Sequence, residues 1–261
     1  MSPAPDSAPI VRVEGLVAGY EGNVLLQDVN FAVNRGEVFV ILGGSGCGKS
    51  TLLKHMIGLY QPIAGKVLID GEDIVSAEGA ARRAILTKIG VMYQSGALFG
   101  SMTLLENVRL ALEEYTALDP GAMDLIARMK LKLVGLEAFC GHMPSEISGG
   151  MAKRAAIARA MALDPRILFL DEPSAGLDPI TSAELDALIR RLAASLHITF
   201  VIVTHELPSI YAIADRVIML DKRAKGIIAE GDPKVLRDTS DNPWVRQFFL
   251  REAEAPAEVV Q

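Results

Sequence analysis

Hydrophobic and polar positions alternate with period two along Ile10–Tyr20 and again along Val24–Val33, around a Glu21-Gly22-Asn23 turn, which predicts a β-hairpin. Glu37–Leu42 is an apolar run closing on glycines, the pattern of a buried strand feeding a loop, and a helix is expected from Lys49 to about Leu59. Val67–Ile69, before Asp70-Gly71, and Ile89–Tyr93 read as short strands. From about Leu104 to Val134 the spacing becomes helical, interrupted at Asp119-Pro120-Gly121, where Pro120 suits the first turn of a new helix. Ser148–Ala162 predicts an alanine-rich helix stopped by Asp164-Pro165. Strands at Ile167–Leu170, Thr199–Val203 and Val217–Leu220 are separated by helices at Ile180–Ser195 and Glu206–Ala214.

Strands alternating with helices imply an α/β fold with a mostly parallel sheet covered on both faces. The early hairpin reads as an antiparallel β subdomain, and the block at about 95–162 as a helical subdomain, both added to that core. No internal repeat is visible, so the chain carries one such unit. Residues 1–9 are Pro/Ala-rich and expected to be flexible, 10–240 form the domain, and 241–261 form a C-terminal extension, partly disordered at 252–261.

Composition narrows the setting. Half of the 261 residues are hydrophobic but only 5% are aromatic, so aliphatic packing must fill the core. A net charge of −6 argues against a general nucleic-acid binder, whose footprint is a basic face. Two cysteines, Cys47 and Cys140, supply no disulfide framework, which favours a reducing compartment. The opening MSPAPDSAPI has neither the basic nor the apolar region of a secretory signal. No stretch reaches the roughly 18–20 apolar residues that span a bilayer; Ile198–Leu220 is broken by His205, Glu206, Pro208 and Asp215. A role at a membrane would therefore be exercised from the cytoplasmic side, through a partner.

Residues 43–50, Gly-Gly-Ser-Gly-Cys-Gly-Lys-Ser, fit G-x-x-x-x-G-K-[ST] between an expected strand and an expected helix. Gly43, Gly44, Ser45, Gly46, Cys47 and Gly48 would let main-chain amides curl around a triphosphate, assisted by the helix N-terminus where Thr51 lies. Lys49 would reach the terminal phosphates and the Ser50 hydroxyl would coordinate Mg²⁺, so a nucleoside triphosphate and Mg²⁺ are expected here. Cys47 reads as a small loop residue, with a redox role as the alternative. The run Ile167–Leu170 ends in Asp171-Glu172, which delivers a Mg²⁺-binding carboxylate, Asp171, to the strand's carboxyl end. Beside it, Glu172 would orient the attacking water.

The motifs that follow are more specific. Ile147-Ser148-Gly149-Gly150-Met151 ends 20 residues before Asp171, and Asp171 opens the run Asp-Glu-Pro-Ser-Ala-Gly-Leu-Asp178. Gln94 follows Val91-Met92-Tyr93, and Thr204-His205 closes Thr199–Val203. In this order they resemble the ATP-binding-cassette (ABC) family of P-loop NTPases over about residues 10–237. The resemblance implies an ATPase that works as a homodimer beneath integral-membrane permease subunits. It implies that Ser148, Gly149 and Gly150 meet the γ-phosphate of ATP on the other protomer, and that Asp178 closes the inter-protomer loop. Gln94 would sense Mg²⁺ or water, His205 would position Glu172 and the water, and Tyr20 would stack on adenine unless it merely packs the hairpin. Lys49, Gln94, Glu172 and His205 form the expected catalytic set, and Ser50, Gln94 and Asp171 the metal set. Most of the family has Gln where this chain has Met151, and methionine cannot supply an amide hydrogen bond.

Three segments narrow the resemblance: Gln94-Ser95-Gly96-Ala97-Leu98-Phe99, Ser148–Arg154 and Leu177-Asp178-Pro179-Ile180-Thr181. They are similar to Mla-type ATPases, which power phospholipid traffic between inner and outer membrane with MCE-domain proteins. That similarity implies a peripheral place on the cytoplasmic side of the inner membrane, beside an MCE-domain lipid-binding protein and a regulatory STAS-domain subunit. An ATPase for a small solute such as an amino acid, and a non-transport ABC protein, are the competing readings. Ala97-Leu98-Phe99 is either core or the docking surface for a permease helix. Trp244 with Phe248, and Val245 with Phe249, stand four apart, so a short helix there must bury an apolar face in its own domain or on a neighbour.

Overall fold

The computed structural model describes residues 8–20 and 23–251, with only the main chain of Tyr20; the expected turn at 21–22, residues 1–7 and the tail 252–261 lie outside the described residues. The alternating segments pair antiparallel as β1 (Val11–Tyr20) and β2 (Asn23–Val33). β3 (Val38–Gly43) follows, then α1 (Lys49–Met56). β4 (Ala64–Ile69) joins the other edge of β1, and β5 (Glu72–Asp73) extends it, giving a four-stranded antiparallel sheet in the order β2-β1-β4-β5. Next come α2 (Gly79–Leu86), β6 (Ile89–Met92), α3 (Leu104–Tyr115), α4 (Pro120–Leu133) and α5 (Gly149–Ala160). The strand–helix alternation resumes with β7 (Ile167–Asp171), α6 (Pro179–Leu196), β8 (Thr199–Val203), α7 (Leu207–Ile213) and β9 (Arg216–Asp221). β10 (Gly226–Gly231), α8 (Pro233–Thr239) and α9 (Pro243–Leu250) complete the described chain. The second sheet has the order β10-β9-β3-β8-β7-β6 and is parallel except for β10.

The unbroken apolar runs of β3, β7 and β8 have a geometric cause. Side chains alternate across a strand, and here each face meets a different core. Phe39, Ile41, Phe169, Val201 and Val203 pack with α1 and the antiparallel sheet. Val38, Val40, Leu42, Leu168, Leu170, Phe200 and Ile202 pack with α3 to α7 and with α9. A strand buried on both sides has no polar face to show in its sequence.

The helix starts carry the residues that local chemistry demands. Thr103 and Glu106 form a capping box at α3, and Asp119 caps α4 ahead of Pro120 at its first position. α1 ends earlier than expected. Gly58, at φ +69°, donates to His55 O and Leu59 donates to Lys54 O, a glycine-terminated pattern that closes the helix at Met56. The elements the sequence did not announce are β5, α2, β10 and α8. Each is short and adds little to the cores: α2 buries only Ile85, and α8 only Pro233.

Candidate functional site

Because β3, β7 and β8 are parallel neighbours, Gly43, Asp171 and Val203 end on one edge of the sheet. α1 begins there with Gly48 at its N-cap and, among the described residues, no side chain bonding its first-turn amides, which leaves those amides and the helix dipole to an anion. Lys49 Nζ curls back to donate to Gly43 O at 2.9 Å and Gly44 O at 3.1 Å. Ser50 Oγ donates to Asp171 Oδ1 at 3.1 Å, which joins two of the expected metal ligands. Burial pushes the Asp171 carboxyl up from its ordinary range; the Ser50 hydrogen bond and the Lys54 and Lys49 charges oppose this, and neighbouring Glu172 adds to it.

Glu172 turns off the end of β7 at φ +47°, a conformation uncommon for a residue with a Cβ, while its N–H holds Val203 O at 2.8 Å. The turn places Glu172 Oε1 2.8 Å from His205 Nδ1. Glu172 Oε2 is buried with no hydrogen-bond partner among the described residues. A buried carboxylate oxygen left unpaired is costly, and it stands here as an acceptor for a water or substrate hydrogen.

One cavity of about 580 Å³ gathers these groups except Asp171, which reaches it only through Ser50. Gly43, Gly44, Ser45, Gly46, Gly48, Lys49, Ser50, Thr51, Gln94, Glu172 and His205 line it. Cys47 sits buried beneath, and its burial raises the thiol, which disfavours the reactive thiolate. Tyr20 ends β1, but its side chain lies outside the described residues. Two lining residues were missed from the sequence, Leu25 on β2 and Phe248 on α9. α9 buries Val245 and Phe249 in the chain's own large core, while half-buried Trp244 lies against Gly44, where a Cβ would stand 3.7 Å from its ring. The apolar spacing at 244–249 announced the helix; only the tertiary fold shows that it reaches the phosphate loop.

Ser148, Gly149, Gly150 and Asp178 do not line this cavity. Ser148 caps α5 through a single bond from Met151 N at 3.3 Å, and Asp178 caps α6 through Ile180 N and Thr181 N. The two starts touch: a Cβ on Gly150 would stand 2.4 Å from Thr181 Cγ2, so only glycine permits this approach. Ser148, Gly149 and Asp178 are exposed, and the Met151 side chain packs on the large core. Inside α5, Lys153 is 8% exposed and donates to Gln94 O and, at 3.5 Å, to Glu172 O. Burial draws its ammonium down from the usual lysine range, opposed by the Glu172 and Asp171 charges.

A groove of about 650 Å³ borders the loop after β6, lined among others by Leu59, Tyr93, Ala97, Phe99 and Tyr115. Phe99 is half exposed, and Arg159 of α5 braces the loop by donating to Ala97 O at 2.6 Å and Gly96 O at 3.0 Å.

The family described as "ABC transporter" matches residues 26–175. The chain is 43% identical over 239 residues to the "Probable ribonucleotide transport ATP-binding protein mkl" of Mycobacterium leprae, covering 92% of this chain and 68% of that one. It is 38% identical over 248 residues to the "Intermembrane phospholipid transport system ATP-binding protein MlaF" of Haemophilus influenzae, covering 95% and 92%. Among solved structures it is similar to the dimeric post-hydrolysis state of the ATP-binding cassette MJ0796 bound to ADP and Pi. That match has 31% identity and a TM-score of 0.76, and covers 85% of this chain and 98% of that one.

Proposed function

The chain belongs to the ABC transporter family and is an ATPase, and from that premise we propose that it drives phospholipid transfer between two membranes as half of a homodimer. The observation that carries the hydrolytic part is the single cavity in which the phosphate loop meets Glu172 and His205. What supports the cargo is similarity to a phospholipid-transport ATP-binding protein over 92% of that protein's length. A ribonucleotide or other small solute is the second reading, favoured by the printed name of the mycobacterial relative, of which this chain spans about two thirds.

In this reading the amides of 43–48 and the α1 start hold the ATP phosphates, and Lys49 leaves its carbonyl partners for the terminal phosphates. Mg²⁺ fits the donor set. Ser50 Oγ and Asp171 Oδ1 are hard oxygens side by side, with Ser50 exposed in the cavity and Asp171 buried behind it. Two protein oxygens are few for a cage, so phosphates and water would supply the rest, as Mg²⁺ prefers. When bound, the ion neutralises charge on the phosphates. Gln94 borders the same space. Glu172 accepts a hydrogen bond from the attacking water, and His205 fixes the carboxylate's orientation and faces the γ-phosphate. The starts of α5 and α6, at Ser148–Gly150 and Asp178, complete the partner's site across the dimer.

The described residues include no helix long and apolar enough to cross a membrane; in this reading a permease supplies the path. Its cytoplasmic helix would dock in the groove at Phe99 and Leu59, on the cytoplasmic face of the inner membrane. A STAS-domain regulator and an MCE-domain lipid carrier would complete the assembly. The test is a pull-down of tagged Glu172→Gln chain from gently solubilised membranes. A permease with an MCE-domain protein supports the lipid reading; a permease with a soluble solute-binding protein replaces it with the second.

A further inference from the structure

Two loops deliver polar side chains that line this cavity: the one after β6, with Gln94, and the one after β7, with Glu172. One side chain, Lys153, reaches the main chain of both. It comes from α5, one turn beyond Gly149 and therefore on the same helix face. Arg159, further along α5, touches only the first loop, at Gly96 and Ala97. Lys153 does not line the cavity, so it meets neither nucleotide nor water directly. A buried ammonium is expensive to desolvate, and a methionine or leucine would fill the same space without that cost. The charge is thus accounted for by what it holds.

Resting on the reading that Glu172 orients the water, we propose that Lys153 is a positioning residue: it fastens the Gln94 and Glu172 main chains to α5, so that the helix whose start meets the partner's nucleotide also sets the hydrolytic groups of its own site. A movement of α5 on closure is then transmitted through one side chain to both loops. Neither Gln94 nor Glu172 need touch the partner to respond to it.

The test compares Lys153→Met and Lys153→Arg in the full chain, with ATP affinity, the kcat against KM split and thermal unfolding measured together. Lys153→Met keeps the ATP Kd within about twofold and loses about tenfold or more in kcat with KM nearly unchanged, the pattern of a contact acting in the transition state alone. Lys153→Arg, which keeps charge and donors, recovers most of that loss. A folded Met variant with wild-type kcat overturns the proposal, as does an Arg variant impaired to the same degree as Met. Should the Met variant not fold, Lys153→Gln carries the same test with one neutral donor, and failure of both to fold leaves only a structural brace and overturns the proposal. Glu172→Gln measured alongside separates the two ideas. Wild-type turnover there removes the reading of Glu172, whereas lost turnover there beside a normal Lys153→Met removes only the role of Lys153.

Discussion

The starts of α1 and α5 are both glycine-flanked helix N-termini, yet the chain treats them differently. Among the described residues α1 has no side chain bonding its first amides, and around it the same chain supplies Lys49, Ser50, Glu172 and His205, with Asp171 behind Ser50. α5 is capped by Ser148 through one stretched bond, stands exposed, and contributes nothing to that cavity. In the proposed reading the first start is an anion seat with its chemistry attached, and the second is a seat without any. Two such incomplete halves on one chain make sense when a second copy brings them together, as in the proposed homodimer.

The largest effect that sharpens this contrast comes from Glu172→Gln. Loss of a positioned base lowers kcat by about 10²–10⁴-fold, while ATP binding persists because the phosphate loop is untouched; turnover assays beside equilibrium binding check both. Gly150→Ala acts on the other half. The added methyl collides with Thr181 Cγ2, and overpacking of this kind costs about 1–3 kcal/mol, read by denaturant unfolding. Pairing it with Thr181→Ser, which removes Cγ2 but keeps the hydroxyl that donates to Asp178, returns the stability. If turnover returns too, Gly150 serves packing alone; the proposed contact with the partner's phosphate requires that turnover stay low.

The smallest effect concerns Asp171. Burial raises its folded pKa above the unfolded value, so the stability it confers is complete below the unfolded carboxylate range and is lost as pH rises through the folded pKa. Nucleotide-free Asp171→Asn therefore gains stability relative to wild type on going from acid to neutral pH, while losing Mg²⁺-dependent ATP binding. Thermal unfolding across pH detects it, and parallel curves for the two proteins contradict it.

Much of this arrangement was legible in the sequence, for physical reasons. Strands buried on both faces announce themselves as apolar runs, and a phosphate loop between strand and helix has little freedom to be anything else. Asp119-Pro120 marked the start of α4 because a carboxylate cap and a proline without N–H belong there. What stayed hidden depended on tertiary contact. α2, β10 and α8 bury too little to leave a period. Leu25 and Phe248 reach the cavity from opposite ends of the chain. Lys153 carried no mark at all in an alanine-rich helix, because its partners are main-chain carbonyls 59 and 19 residues away. The Gln-to-Met departure at 151 also became intelligible only in three dimensions, where the thioether packs on the core.

The central claim, that a second copy completes the site, is tested most directly by the mass in solution of Glu172→Gln with ATP and Mg²⁺, by light scattering after size exclusion. The account predicts a shift from monomer to dimer on adding ATP, abolished by Ser148→Arg although the double variant still binds ATP. A Glu172→Gln chain that stays monomeric with ATP bound, or a Ser148→Arg double variant that dimerises equally well, contradicts it.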